Sequence, residues 1–144
     1  MSNVKYGKFS VLASGATTDV FFTEGKALTD LRPGQLVSPD KDGNFQASGK
    51  GELFVALEFV TYTARKGILA GDTVVATELH QNKAFNLILD ANLAVEQGYE
   101  LYATAAGYVT NIKPEKEAVL VGYAAEPMVS SAEPKQIAVR PTIG

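Results

Sequence analysis

The sequence predicts an all-β protein, a small barrel or sandwich of short antiparallel strands. Short runs rich in β-branched and aromatic residues alternate with Gly and Pro, and helical periodicity is nearly absent. Such spacing is typical of β-sandwiches and barrels. A single helical turn is the most that residues 93–97 could form before Gly98. The predicted strands lie at residues 35–38, 53–62, 68–77, 85–89, 99–104, 118–125 and 137–143.

Two chain reversals have recognisable turn chemistry. In Arg32-Pro33-Gly34-Gln35, proline suits the second turn position and glycine the position that needs a positive φ. In residues 39–44, Asp42-Gly43 supplies the backbone angles of a tight hairpin. The sequence therefore predicts turns on both sides of the strand at 35–38.

A weak internal repeat involves these turns. The interval from Gly34 to Gly43 matches that from Gly98 to Gly107, and each pair of glycines encloses a short strand. Each copy continues into a polar loop and then an apolar strand that ends in glutamate, at Glu58 and at Glu126. The pattern indicates either an internal duplication or reuse of the same turn chemistry in a β-meander.

The chain divides into a predicted N-terminal arm, residues 1–30, and a β-domain, residues 31–144. The arm has strand-like pieces at 4–9 and 19–22, and the small polar segment between them has little power to fold alone. It is either an edge strand with a loop or an extended segment that lies on a neighbouring subunit. The candidate contact residues in the arm are Val4, Tyr6, Phe9, Phe21 and Phe22.

Composition excludes several functional classes. The net charge is −3 and no basic cluster occurs, so we expect no nucleic-acid partner. No apolar run approaches the roughly 18 residues of a membrane span, and the N-terminus lacks the apolar core of a signal peptide. We therefore expect no membrane partner and synthesis in the cytoplasm. The absence of cysteine excludes disulfides, thiol nucleophiles and thiolate metal sites.

Candidate chemical motifs are incomplete. His80 is the only histidine; with Glu78 it supplies two metal ligands on one strand face, but a third is missing. The loop at 43–51 departs from the spacing of a phosphate-binding loop, and the turn at 40–43 lacks most ligands of a calcium loop. The sequence therefore predicts no enzyme, no catalytic residue, no cofactor and no metal.

Tyrosines are concentrated in the second half of the chain, at positions 99, 102, 108 and 123. Tyr102 and Tyr108 lie on the two sides of Gly107, where they could be cross-strand partners. Tyrosine combines a large apolar ring with a polar tip, which suits core and rim packing, protein interfaces or stacking on sugars. Tyr102 and Tyr108 are therefore candidate interface residues.

Five segments together resemble the capsid decoration (cement) proteins of tailed bacteriophages. They are LRPGQLV at 31–37, AGDTV at 70–74, LAVEQGYEL at 93–101, AVLVGYAAE at 118–126 and IAVR at 137–140. The likeness spans roughly residues 31–140 and rests on rhythm and turn placement. It implies a β-tulip-like domain that binds the outer surface of the mature capsid and stabilises contacts between subunits of the major capsid protein.

The resemblance also implies self-association, as a homotrimer rather than a homodimer, and carries no catalytic residues. Three alternatives remain, of which the first is still a virion part and the second belongs to a different class of protein. The first is another virion part, such as a head fibre base or a minor tail protein. The second is a carbohydrate-binding β-module that uses the tyrosines. The third is an enzyme accessory domain, a small barrel that carries a small ligand. The sequence disfavours it because no group of polar residues suggests a ligand site.

Overall fold

The computed structural model describes residues 22–57, 67–81 and 83–142. These residues form twelve strands and no helix, which confirms the predicted all-β class. The strands are β1 (Phe22–Lys26), β2 (Leu36–Pro39), β3 (Phe45–Ala47), β4 (Phe54–Ala56), β5 (Thr73–Glu78), β6 (Phe85–Leu89), β7 (Ala94–Val95), β8 (Glu100–Ala103), β9 (Val109–Thr110), β10 (Leu120–Ala124), β11 (Met128–Val129) and β12 (Lys135–Pro141).

The strands form two principal sheets. The first has the order β1-β5-β4-β2-β3, with antiparallel neighbours throughout. The second is a closed barrel of β10, β12, β6, β9 and β8, and β7 with β11 forms a small third sheet. The barrel closes through one parallel pair, β6 with β9, where Leu89 lies opposite Val109. Most pairs are thus antiparallel, as predicted, and the closure is the exception.

The two principal sheets are copies of one arrangement. Reading the barrel as β6-β12-β10-β8-β9 reproduces the order of the first sheet strand for strand. The register repeats as well: Leu36 lies opposite Val55 in the first sheet, and Glu100 lies opposite Tyr123 at the same place in the barrel. We call residues 22–57 with 67–78 repeat 1, and residues 85–142 repeat 2.

The repeat extends to the parallel closure. In repeat 1 a single parallel bridge joins Ala27 to Phe45, at the place where Leu89 lies opposite Val109 in the barrel. Repeat 1 therefore closes at the same place as the barrel, and each closure is a single parallel residue pair.

The bracketing glycines occupy equivalent turns. Gly34 and Gly98 have φ of 93° and 92°, and Gly43 and Gly107 both have φ of 83°. The N–H groups of Gly34 and Gly98 each donate a 2.8 Å hydrogen bond, to the carbonyl oxygens of equivalent alanines in β4 and β10. Because five strands match in order and register, the pattern favours duplication over mere reuse of turn chemistry.

Each repeat has its own core, and the repeats pack together. Inside repeat 1, Val37, Phe45 and Ala56 are buried in one cluster. Leu36 and Val55, on the opposite face of the same strands, belong to the cluster that fills the barrel. Repeat 1 is therefore buried on both faces of its central strands, which explains their nearly continuous apolar sequence.

The structure corrects one local expectation. Residues 93–97 do not form a helical turn, because Ala94–Val95 form β7, in which the buried Val95 pairs with Met128 of β11. The strands β3, β9 and β11 contain only two or three residues, too short for a recognisable period.

Part of the predicted arm belongs to repeat 1. Residues Phe22–Lys26 form β1 and pair with β5 along their whole length. Residues 1–21 lie outside the described residues, so the division into an arm and a domain stays a prediction. The predicted strand at 53–62 appears as β4 at Phe54–Ala56, and its residues 58–62 also lie outside the described residues.

Candidate functional surface

The outer face of the barrel carries a row of large polar side chains. Tyr123 of β10 lies directly opposite Glu100 of β8 on one side and opposite Arg140 of β12 on the other. Tyr102 follows two residues after Glu100, on the same face of β8. Tyr99 precedes the strand, and both Tyr99 and Tyr123 are 40% exposed. We call these five residues the tyrosine face.

Hydrogen bonds and charge orient the rings of this face. The Tyr102 Oη donates a 2.8 Å hydrogen bond to Oε1 of Glu100, and the ammonium nitrogen of Lys113 lies 5.6 Å from the centre of the Tyr102 ring. The surface thus presents flat aromatic area, three phenolic groups and charges of both signs. This composition is typical of a protein interface, in which tyrosine and arginine are enriched.

The pKa of Tyr102 is expected above its ordinary value of 10.0, chiefly because its hydroxyl hydrogen bonds to Glu100 and secondarily because of desolvation. The neutral phenol is favoured in the folded state, so its contribution to stability is present below pH 10 and is lost as the pH rises through the raised pKa. Ring-carbon NMR titration of Tyr102 measures this directly. Glu100→Gln should lower the pKa toward 10.0, and Glu96→Gln should leave it unchanged; an unchanged pKa in Glu100→Gln would contradict the assigned cause.

Tyr102 and Tyr108 are not cross-strand partners. The turn between β8 and β9 is closed by Gly107 N–H, which donates to the carbonyl oxygen of Thr104 at 2.9 Å, and the strand register then places Tyr102 opposite Thr110. Tyr108 instead lines an open cleft of about 310 Å³. The two tyrosines therefore belong to different surfaces.

The cleft that contains Tyr108 lies between the repeats, where it meets Arg32 and Gln35 of repeat 1. The remaining predicted interface residues are in the arm. Phe22 begins β1, with its backbone opposite Thr77, whereas Val4, Tyr6, Phe9 and Phe21 lie outside the described residues. The interface roles of all seven residues stay predictions.

The incomplete chemical motifs gain no partners in the described structure. Nowhere in residues 22–57, 67–81 and 83–142 do three His, Asp or Glu side chains lie close enough to hold a metal. Asp40 Oδ1 accepts hydrogen bonds from the backbone N–H groups of Asp42, at 2.8 Å, and Asn44, at 3.0 Å, as expected of a turn residue. None of the described residues belongs to a helix long and apolar enough to cross a bilayer.

The sequence missed Tyr123 and Arg140 as members of the candidate surface. The feature that could have identified them is the alternation of buried and exposed residues along β10 and β12, in which Tyr123 is exposed between the buried Gly122 and Ala124. That signal becomes readable only once the strand register is known, because a strand buried on both faces can carry the same residue types.

Comparisons with known proteins find a likeness in fold. No family of known proteins and no curated protein sequence matches the chain. Among solved structures, the chain is similar to the N base of head fiber gp8.5 in bacteriophage phi29, with a TM-score of 0.53 and 14% sequence identity. The match covers 87% of this chain and 98% of that one. At this identity the likeness is one of fold: the two-repeat β-architecture corresponds to nearly the whole of the head fiber base.

Proposed function

We propose that this chain is a structural protein of a tailed-phage virion that binds the outer surface of the mature capsid, as a decoration protein or as the base of a head fibre. The observation that carries the proposal is the fold likeness to the phi29 head fiber base, of which it covers 98%. The resemblance of the five sequence segments to capsid decoration proteins points to the same class independently. On this proposal the chain transforms no substrate.

The described surface suits such a role. The exposed row of Tyr123, Glu100 and Arg140 offers ring area and charges of both signs, a mixture that suits docking on another protein. A protein that binds only the assembled capsid adds its binding free energy to the stability of that state. Many copies on one shell multiply a small contribution from each site. We take the partners to be the major capsid protein and further copies of this chain.

Saturable binding to capsids tests the proposal. The purified chain is mixed with mature heads that lack it and with unexpanded heads of the same phage, and co-sedimented protein is measured against the concentration added. We expect saturation at a fixed number of copies on mature heads and little binding to unexpanded ones. Deleting residues 1–18 should abolish binding if the arm provides the contact, with the far-UV circular dichroism of the domain unchanged. Absence of saturable binding to mature heads would contradict the proposal.

The same preparation separates the two virion roles. A decoration protein should raise the temperature at which filled heads release their DNA, because its binding free energy is added to the intact shell. A fibre base bound at fewer sites should give a smaller rise and a lower number of copies per head at saturation, because each bound copy contributes its own binding free energy. The exposed rings of the tyrosine face would also suit a carbohydrate-binding module. Binding to a glycan array that is lost in Tyr102→Ala, together with no binding to heads, would favour that function instead.

A further inference from the structure

The packing of repeat 1 on repeat 2 uses a defined pair of surfaces. On the repeat 1 side, the Leu36 N–H donates a 2.8 Å hydrogen bond to the Gly107 carbonyl oxygen, and the Gln35 Nε2 donates a 2.6 Å hydrogen bond to the carbonyl oxygen of Ala106. On the repeat 2 side, the partners therefore come from the turn between β8 and β9. Gly34 adds a close approach to β6, since a Cβ built on it would lie 2.8 Å from the carbonyl oxygen of Asn86.

No described residue covers the equivalent surfaces of the two repeats. In repeat 2 the positions of Gln35, Leu36 and Val55 are occupied by Tyr99, Glu100 and Tyr123, which are exposed members of the tyrosine face. In repeat 1 the equivalent of the β8–β9 turn is the exposed turn at 40–43, and the equivalent of β6 is the edge strand β1. We call this second surface the turn face.

Glycine environments show the contrast directly. A Cβ built on Gly107 would lie 2.4 Å from the Leu36 carbonyl oxygen, whereas one built on the equivalent Gly43 meets nothing within 4 Å. A Cβ on Gly34 meets Asn86, whereas one on the equivalent Gly98 meets nothing within 4 Å. Gly34 and Gly107 are therefore crowded at the contact, whereas Gly98 and Gly43 have space among the described residues; the Gly43 carbonyl oxygen itself packs against Gly25 of β1.

Both open faces are polar, and the turn of the turn face adds Asp40, Lys41 and Asp42. The side chains that replace Leu36 and Val55 are polar or amphipathic, as expected of a surface that is exposed before assembly. Arg140 on the tyrosine face and Glu24 on the turn face have opposite charge, as do Glu100 and Lys26. Both faces thus carry charges of both signs, and neither carries a long apolar run.

We propose that the tyrosine face of one chain binds the turn face of a second copy, head to tail, in the way that repeat 1 binds repeat 2 within the chain. A contact between two different faces joins copies in one direction, and it closes into a ring when the rotation between copies allows it. This inference does not depend on the capsid proposal, because self-association can be measured on the isolated protein.

Three substitutions of glycine by asparagine, at positions with similar backbone angles, test the contact between the tyrosine face and the turn face. Gly98→Asn alters the tyrosine face and Gly43→Asn the turn face, while Gly71→Asn is the control. All three glycines have positive φ, of 92°, 83° and 91°, and open space around them in the single chain. Asparagine tolerates this backbone region, so each variant should fold, which far-UV circular dichroism checks. Oligomer mass is measured by sedimentation equilibrium against the chain mass of 15.3 kDa.

We expect the wild type and Gly71→Asn to have a mass that is a multiple of the chain mass, and Gly98→Asn and Gly43→Asn to associate at least about tenfold more weakly. An equimolar mixture of Gly98→Asn and Gly43→Asn should restore a species of two chains, because one intact tyrosine face and one intact turn face remain. A monomeric wild type, equal association of all variants, or a mixture that stays monomeric would each overturn the proposal.

Discussion

Leu36→Glu is expected to abolish or nearly abolish folding, whereas the reciprocal change at the equivalent position, Glu100→Leu, is expected to leave the fold intact. Leu36 is fully buried where repeat 1 meets the barrel, so a carboxylate there loses its hydration without gaining a partner. We expect a loss of about 4 kcal/mol or more, a large part of the stability of an ordinary domain. Glu100 is exposed, and its replacement should cost less than about 1 kcal/mol.

The measurement is urea unfolding followed by circular dichroism at one protein concentration. Leu36→Met is the volume-matched control, which should cost less than about 1.5 kcal/mol because it keeps the site apolar. If Leu36→Glu unfolds within 1 kcal/mol of the wild type, the two repeats do not pack through this face. A large loss in Glu100→Leu would show that the tyrosine face is itself required for folding of the chain.

The sequence predicts the strands that have clear boundaries. β6 coincides with its predicted range. β2, β8, β10 and β12 lie within two residues of theirs, and glycine or proline lies near most of their ends. The helical turn expected at 93–97 was wrong because pairing with β11 outweighs a weak local preference.

The arrangement of the repeats could not be read from the sequence. The spacing of Gly34 and Gly43 relative to Gly98 and Gly107 does reveal the duplicated turns, but few other equivalent residues are alike. Leu36 and Glu100 occupy the same place in their repeats, yet one is in the core and the other on the surface. Whether the residue at this place is buried depends on whether the other repeat packs against it. That is a long-range property, which a local sequence pattern does not encode.

The predicted pairing of Tyr102 with Tyr108 was wrong for a related reason. Placing Tyr102 opposite Tyr108 assumes a hairpin symmetric about the middle of the intervening segment. The turn closes instead between Thr104 and Tyr108, which are joined by a 2.9 Å backbone hydrogen bond, and this sets Tyr102 opposite Thr110. The length of the loop fixes the register of a hairpin. A shift of two positions in that register therefore changes which side chains lie opposite each other.

Gly122→Ala is expected to destabilise the protein by about 3 kcal/mol, because the barrel leaves no room for a methyl group at this position. A Cβ built on Gly122 would lie 2.1 Å from the carbonyl oxygen of Arg140 and 2.8 Å from the Cα of Pro141. Both atoms belong to the backbone of β12, which is paired with β6 on its other side and so cannot move away without disturbing the closed barrel. On its other side, β10 shifts register against β8 between Leu120 and Gly122.

Thermal unfolding measures the effect, and a loss of about 3 kcal/mol corresponds to a fall in Tm of roughly 10 °C for a chain of this size. Gly67→Ala is the control: its Cβ would meet a single carbonyl oxygen, that of Leu31, at 3.2 Å, so we expect a change of less than about 1 kcal/mol. The equivalent of Gly122 in repeat 1 is Phe54, so the equivalent place in the first sheet holds a large side chain. If Gly122→Ala is as stable as Gly67→Ala, the barrel is not packed as tightly as this contact requires, and position 122 does not need glycine.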